Sequence, residues 1–201
     1  MVDHTKVIGI TGGVGSGKSH VCKLITRHLG YPVIDSDTIS RNQMEPGGPV
    51  LKKVLETFGQ EYANEDGTLN RSKLAGLVFQ DDEKLAALNA ITHPAVIEEI
   101  KERIAGYAKE GVPFVFVESA LACSAGYRSF CDELWTVTAP EQVRRYRLKK
   151  TRGYTDERIS SLISEQLSDE ELRKLCDKEI NNGNMVGDIE ICYQVETLLG
   201  L

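Results

Sequence analysis

The sequence predicts an α/β fold in which a parallel β-sheet is flanked by helices. Short apolar segments rich in β-branched residues alternate with longer segments of helical periodicity, which is the pattern of parallel strands joined by helical crossovers. A glycine-rich loop joins the first strand candidate to the first helix. At 201 residues, the chain has room for one substantial core and a smaller helical insertion.

The first predicted strand, residues 7–11, leads directly into a phosphate-binding motif. The residues from Gly12 onward fit the pattern G-x-x-x-x-G-K-[ST] at every specified position. Glycines let successive backbone N–H groups turn toward phosphate oxygens, where a Cβ would crowd the approach. Lys18 adds a mobile charge, and the hydroxyl of Ser19 suits a magnesium ion that bridges the terminal phosphates of a nucleotide. The predicted ATP-binding residues are Gly13, Val14, Gly15, Ser16, Gly17, Lys18 and Ser19.

The remaining elements continue the alternation of strands and helices, which predicts a P-loop NTPase-type sheet with ligands at the carboxyl ends of its strands. Further strands are predicted at 32–34, 112–117, 134–138 and 179–183. Helices are predicted at 18–29, at 50–58, as a succession over 69–109 with Pro94 in a first turn, as two helices over 140–174 divided at 153–155, and at 189–199.

The long helical stretch is the exception to the alternation, because it interrupts the sheet between the second and third strands. We therefore expect a core of about 1–49 and 111–201, a helical insertion of about 50–110 that captures a second substrate, and a helical lid of about 144–170. A helical segment of this length can also pack against a sheet for stability alone, and that alternative stays open.

The composition narrows the class of protein further. The formal net charge of −6 argues against general affinity for nucleic acid or anionic membranes. No apolar run approaches the roughly 20 residues that span a bilayer, so we expect a cytoplasmic protein. The five cysteines are odd in number and scattered, which favours reduced thiols, and the four histidines show no zinc-ligand spacing.

Two aspartates after the second strand are candidates for chemistry. Asp37 could orient an acceptor hydroxyl and take its proton during phosphoryl transfer, or it could cap the following helix. Asp35 could help to hold magnesium through water, or it could accept hydrogen bonds from turn amides.

Later charged residues extend the candidate site. Glu118 ends an apolar strand, where it could contribute to a metal site or simply be solvated. The cations between residues 144 and 158 could close over the transferring phosphoryl group, or they could form a solvated helix face. Among them Arg147, Lys150 and Arg152 are the candidates for catalysis.

Several segments, in this order, resemble the dephospho-CoA kinase family over nearly the whole chain. The phosphate loop alone indicates only a nucleotide-binding class, whereas the other segments are more selective. They are Asp35-Ser36-Asp37, Glu45-Pro46-Gly47, Phe58-Gly59, Asp66-Gly67-Thr68-Leu69-Asn70-Arg71 and Leu88-Asn89-Ala90-Ile91-Thr92-His93-Pro94, with weaker matches at Asp132, 138–141, Arg147, Gln166 and 177–182.

The resemblance implies transfer of the ATP γ-phosphate to the 3′-hydroxyl of dephospho-CoA, with magnesium required. It implies that Asp37 activates the acceptor and that the helical insertion binds the CoA side. Arg71 and His93 match family positions of that lobe and the substrate cleft, although a histidine before Pro94 can also cap a helix.

The chain also departs from the family pattern near the lid. Cys123 or Ser124 stands where the family usually carries a glutamate after the third strand, and Thr151-Arg152 replaces the usual arginine–aspartate pair. Leu162 replaces an arginine, and His20 replaces a small hydroxyl residue. Two alternatives to an active dephospho-CoA kinase therefore stay open: a catalytically impaired nucleotide-binding paralogue, and a kinase for another small hydroxylated metabolite.

Overall fold

A five-stranded sheet organises the part of the chain that the structure describes. The structure is a computed structural model and describes residues 4–123 and 126–201, so Ser124 lies outside the described residues. The strands are β1 (Lys6–Thr11), β2 (Val33–Asp35), β3 (Phe114–Glu118), β4 (Glu133–Thr138) and β5 (Lys178–Asn181). Their order is β2-β3-β1-β4-β5, and β1 pairs in parallel with both β3 and β4. The predicted fold class is confirmed.

The helices fill the intervals between the strands. They are α1 (Lys18–Leu24), α2 (Ser36–Gln43), α3 (Leu51–Phe58), α4 (Arg71–Val78), α5 (Asp82–Lys109), α6 (Glu141–Arg152), α7 (Asp156–Ser164), α8 (Asp169–Leu175) and α9 (Asp188–Leu199). A π-helical turn over Ile25–Leu29 follows α1. This turn ends at Gly30, whose φ of 75° lies in the left-handed region that favours glycine. In the described ranges, none of these helices combines the length and the apolar character needed to cross a membrane.

The chain divides into two compact units, and the first contains the sheet. It comprises the residues up to 34 and from 104 to 201. Ile8 and Ile10 of β1 are fully buried beside Phe116 and Trp135 on the neighbouring strands. The apolar run of β1 is continuous because helices cover both faces of a parallel sheet, so alternation with polar residues is not required.

The second unit, residues 35–103, is helical and has a core of its own. It begins and ends earlier than the insertion of about 50–110 expected from the sequence. One buried apolar cluster of this unit comes from α3, α4 and the adjoining segments: Val50, Leu51, Val54, Leu69, Leu74 and Val78. Between α3 and α4 the chain turns at Gly67, with φ of 81°, and Asp66 accepts a hydrogen bond from the amide of Thr68.

Pro94 does not lie in a first helical turn, so that expectation was wrong. The helix begins twelve residues earlier, at Asp82, and Asp81 accepts hydrogen bonds from the amides of Glu83 and Lys84. That capping signal decides the start of α5, and Pro94 falls in its interior at the loss of one intrahelical hydrogen bond. Burial of α5 residues such as Ile100 supports the uninterrupted helix.

The charged segment after β4 forms three helices, where two were expected. Gly153, with φ of 63°, ends α6, and Thr155 caps α7. The additional break comes at Ser168, whose hydroxyl accepts from the amide of Glu171 while the Glu171 carboxylate accepts from the amide of Ser168. This reciprocal capping box starts a new helix, α8, within the segment after residue 155 that was predicted to form one helix.

Candidate active site

The phosphate loop joins the central strand β1 to α1. Gly17 precedes α1 with φ of 89° and ψ of 23°, a left-handed conformation that favours glycine. A Cβ on Gly17 would also overlap the side-chain amide of Asn182. The loop therefore needs a glycine here for its backbone path and for the close approach of the chain after β5.

Four side chains from the later part of the chain hold the loop in shape. Arg144 Nε donates to the carbonyl of Val14 at 2.8 Å, and Gln166 Oε1 accepts from the amide of Val14 at 2.7 Å. Two residues later in the loop, the carbonyl of Ser16 accepts hydrogen bonds from Asn182 Nδ2 at 2.8 Å and from Arg147 Nη1 at 3.1 Å. Three of these bonds engage the carbonyls of Val14 and Ser16 and one engages the Val14 amide, so side chains from outside the loop fix its backbone at two positions.

Arg144, Gln166 and Asn182 contact the loop, although the sequence prediction did not name them as site residues. Arg144 is 4% exposed, and its guanidinium also lies 3.2 Å from Asp169. It sits so close to the loop that a Cβ on Gly13 would collide with it. A run of cations in sequence looks solvated, so only the weaker family-like matches at Gln166 and residues 177–182 carried a signal.

Lys18, Ser19 and Glu118 converge at the end of the loop. The hydroxyl of Ser19 donates to Glu118 Oε1 at 2.7 Å, and Lys18 Nζ lies 3.7 Å from the same oxygen. The side chains of Lys18 and Glu118 are only 16% and 13% exposed, so the pair is largely shielded from water. The Glu118 carboxylate therefore faces the phosphate loop and not the solvent.

A cavity of about 760 Å³ lies over the loop. Arg147 and Arg152 of α6 line it, as do Lys18 and Ser19. Lys150 is not among its lining residues: its ammonium group lies 5.8 Å from the ring centroid of Tyr146, one helical turn away. Of the three predicted cations, α6 therefore brings two to the cavity.

Two of the positions that depart from the family pattern, Thr151 and His20, also line this cavity. Thr151 lines it, and its hydroxyl donates to the carbonyl of Arg147 at 2.7 Å. His20 lines it too, and its Nε2 lies 2.9 Å from Asp188 Oδ1 at the start of α9. Burial lowers the pKa of the Arg147 guanidinium, which still carries a charge at neutral pH.

Asp35 and Asp37 belong to the second unit, where they have different local roles. Asp35 caps α2: its carboxylate accepts from the amides of Asp37 and Thr38 and from the Thr38 hydroxyl, at 2.9, 3.1 and 2.6 Å. Asp37 is the second residue of α2, so the alternative that Asp37 caps this helix was wrong. The cap lies two residues earlier because β2 ends at Asp35 and the helix follows immediately.

Arg71 and His93 are also in the second unit. Arg71 begins α4, and its Nη2 donates to the carbonyl of Arg41 and to Glu45 Oε1, both at 2.9 Å. His93 lies inside α5, so it caps no helix and the alternative based on capping was wrong. Burial lowers the pKa of His93, which favours a neutral imidazole at pH 7.

Comparison with protein families identifies the family of the chain. The family model described as "Dephospho-CoA kinase" matches residues 6–188, which is most of the sequence. The chain belongs to the dephospho-CoA kinase family. The family resemblance seen in the sequence is confirmed, and with it the class of ATP-dependent kinases.

Individual members of the dephospho-CoA kinase family match over nearly the full length. A dephospho-CoA kinase of Carboxydothermus hydrogenoformans is 38% identical over 180 residues, which cover 90% of this chain and 87% of the relative. A dephospho-CoA kinase of Bacillus cereus is 40% identical over 184 residues, covering 91% and 92%. The match thus includes both compact units.

Solved structures show the same fold. A crystal structure of a Thermus thermophilus protein is 32% identical with a TM-score of 0.81, and 98% of each chain is covered. A dephospho-CoA kinase from Campylobacter jejuni is 24% identical with a TM-score of 0.71, again with 98% of each chain covered. A shikimate kinase from Acinetobacter baumannii, with 13% identity, a TM-score of 0.56 and coverage of 98% and 95%, shares the fold alone.

Proposed function

We propose that this protein transfers the γ-phosphoryl group of ATP to the 3′-hydroxyl of dephospho-CoA, giving coenzyme A and ADP in the cytoplasm. The observation that carries the proposal is the supported phosphate loop, with Lys18 and Ser19 directed at Glu118, in a chain of the dephospho-CoA kinase family. The loop and Lys18 supply the donor half of such a reaction.

Hard oxygen donors near the loop suit Mg²⁺. The Ser19 hydroxyl and the Glu118 carboxylate are close together beside Lys18, and oxygen ligands of this kind are those that Mg²⁺ prefers. Bound with ATP, the ion neutralises charge that develops on the phosphates. We further propose Asp35 as a contributor through water; its carboxylate also caps α2, which holds it in one orientation.

The acceptor half is assigned to residues of the second unit. Asp37 follows β2 by two residues, and ligands of parallel sheets bind beyond the carboxyl ends of the strands. We assign to its carboxylate the orientation of the ribose 3′-hydroxyl and the acceptance of its proton as the phosphoryl group is transferred. Arg71 and the neutral imidazole of His93 are assigned to binding of dephospho-CoA.

Two cations of α6 are assigned to stabilisation of the transferred group. Arg147 donates to the carbonyl of Ser16 and lines the cavity, so it joins the loop backbone to the site of phosphoryl transfer. Arg152 lines the same cavity from the end of α6. We assign the lid cation to Arg152 rather than to Lys150, because Lys150 lies toward Tyr146.

Incubation of the purified protein with ATP, magnesium and dephospho-CoA tests the proposal, with coenzyme A and ADP separated by chromatography. We expect the two products in equal amounts. Asp37→Asn should retain ATP binding and lose a factor of roughly 10² to 10⁴ in turnover, as expected for removal of a general base. Lys18→Ala should lose turnover together with phosphate affinity.

The same experiment separates the alternatives. ATP binding without coenzyme A formation at high enzyme concentration would indicate a nucleotide-binding paralogue without the transfer activity. ADP that accumulates only with a different hydroxylated acceptor would indicate a kinase for another metabolite. ADP formed without any acceptor reports hydrolysis of ATP alone.

A further inference from the structure

Two cysteine thiols from distant parts of the chain meet on the sheet-containing unit. Cys123 lies five residues beyond β3, and Cys176 directly follows the last residue of α8. Their sulfur atoms are 3.6 Å apart although the residues are separated by 53 positions in the sequence. A disulfide has a bond length of about 2.05 Å, so an approach of about 1.5 Å between the sulfur atoms would permit the bond.

The surroundings hold the two thiols in place. Arg128, downstream of Cys123, donates to the carbonyl of Leu175 at 2.7 Å and to Asp177 Oδ2 at 2.5 Å. Leu175 and Asp177 are the immediate neighbours of Cys176, so the Arg128 guanidinium holds the residues on both sides of that cysteine. Arg128 therefore restrains the position of Cys176, whose sulfur atom lies beside that of Cys123.

Both thiols are only half-buried, and Cys123 lines a second cavity of about 340 Å³ together with Gly12, Gly13 and Leu172. A small oxidant can reach the sulfur from this cavity. The hydrogen bond from the Cys176 thiol, together with the charge of Arg128, lowers the pKa of Cys123 to about 7 in spite of its burial. The pKa of Cys176 is raised, because it is the donor.

We propose that Cys123 and Cys176 are a redox modification site that closes to an intramolecular disulfide on exposure to a hydroperoxide. The Cys123 thiolate attacks one peroxide oxygen, the O–O bond breaks, and Cys123 becomes a sulfenic acid with release of hydroxide. The Cys176 sulfur then attacks the Cys123 sulfur, the S–O bond breaks, and the second hydroxide leaves with the Cys176 proton as water. The two thiols lose two electrons and two protons in total, and hydrogen peroxide is reduced to two molecules of water.

The bond ties the end of α8 to the segment that lines the second cavity. At its other end, α8 carries Asp169, the ion-pair partner of Arg144, which supports the phosphate loop. The disulfide therefore restrains the segment between the lid and β5, and it closes a loop of more than 50 residues in the unfolded chain. Such a link raises the temperature of unfolding, and a reductant reverses the effect.

Tryptic peptide mapping gives a direct test, because trypsin places each cysteine of this chain on a different peptide. Cys123 lies on peptide 110–128 and Cys176 on peptide 175–178. The full-length protein is treated with hydrogen peroxide at neutral pH, its remaining thiols are alkylated, and the digest is analysed by mass spectrometry. We expect the two peptides joined, with the loss of two hydrogen atoms, and separated again by dithiothreitol.

Rate measurements and variants identify the mechanism. At pH 7, a thiol of pKa near 7 carries about fifty times more thiolate than a thiol of pKa 9, but each thiolate is about eightfold less nucleophilic. Cys123 should therefore react with the peroxide about sixfold faster than a thiol of pKa 9. Cys192, another half-buried cysteine, whose pKa is raised by burial, is the comparison within the same chain. In Cys176→Ser, the sulfenic acid has no partner thiol, and dimedone should label peptide 110–128.

The proposal is overturned if Cys123 and Cys176 stay fully alkylated under peroxide that oxidises Cys192. It is also overturned if the joined peptides come from a dimer on a non-reducing gel, or if dimedone labels Cys176 in a Cys123→Ser variant as fast as it labels Cys123 in Cys176→Ser. The thermal midpoint of the oxidised protein is an independent measurement: it should rise in the wild type and stay unchanged in Cys176→Ser.

Discussion

Replacement of Arg144 by methionine tests whether a buried guanidinium holds the phosphate loop. Methionine keeps an unbranched apolar stem, so the packing of α6 changes little. The substitution removes the hydrogen bond to the Val14 carbonyl at 2.8 Å and the contact with Asp169 at 3.2 Å. A hydrogen bond that involves a charged group contributes about 1.5–3 kcal/mol, and part of this is offset because the buried charge no longer has to be desolvated.

We expect a net loss of about 2 kcal/mol in the free energy of unfolding. For a chain of this size that corresponds to a decrease of roughly 4–8 °C in the midpoint of thermal unfolding. Trp135 is the only tryptophan of the chain and is fully buried in the sheet core, so its fluorescence during urea unfolding reports the unit that contains Arg144.

Arg145→Met is the matched control on the same helix. Arg145 is 29% exposed, pairs with Glu141 at 2.7 Å and lies 3.8 Å from Asp156, and such partly exposed pairs contribute about 0–1 kcal/mol. Arg145→Met should therefore unfold close to the wild type. Equal losses for the two variants, or no loss for Arg144→Met, would refute the inference that the buried guanidinium supports the loop.

Three further results are expected. Gly17→Ala should abolish nucleotide binding in calorimetry because its Cβ meets a side-chain amide, whereas Gly111→Ala, which has a similar positive φ but open space around it, should bind normally. Arg152→Ala should reduce turnover by roughly tenfold or more while Lys150→Ala stays near the wild type; the reverse order would contradict the assignment of the lid cation. Burial alone would raise the pKa of Glu133, but hydrogen bonds from two lysines and an indole lower it to about 2. The ionised Glu133 carboxylate thus stabilises the folded state by up to about 3 kcal/mol above pH 4.5, and this stabilisation is lost as the pH falls toward 2. In Glu133→Gln, the urea concentration at the midpoint of unfolding should therefore fall less steeply with decreasing pH than in the wild type.

The sheet and the phosphate loop could be predicted from the sequence because their signals are local. A β-branched apolar run such as that of β1 specifies a buried strand by itself, and the glycines with Lys18 specify a phosphate site by themselves. The five strands were located this way, with differences of one or two residues at their ends.

The errors arose where two local signals compete. Pro94 favours a helix start, but the cap at Asp81 comes first and the helix continues through the proline. In the same way, Asp37 has a capping residue type, but Asp35 stands at the end of the strand and takes the cap. Neither outcome follows from residue type alone, because the position of the preceding element decides it.

The contact of Arg144 with the loop could not be predicted because it joins distant segments of the chain. Arg144 lies in a run of charges typical of a solvated face, yet it is buried against a loop 130 positions away. The same holds for Cys123 and Cys176, whose sulfur atoms lie 3.6 Å apart although 53 positions separate them in the sequence. Such contacts appear only when the topology is known.

Transfer of labelled phosphoryl groups tests the central claim most directly. The protein is incubated with magnesium, dephospho-CoA and ATP carrying an isotopic label in its γ-phosphate, and the products are examined by mass spectrometry and phosphorus NMR. We predict that the label appears in coenzyme A as a 3′-phosphate on the ribose, and that Asp37→Asn binds ATP but forms this product at least about 10²-fold more slowly. Label found in inorganic phosphate alone, or on another acceptor but never on dephospho-CoA, would contradict the account.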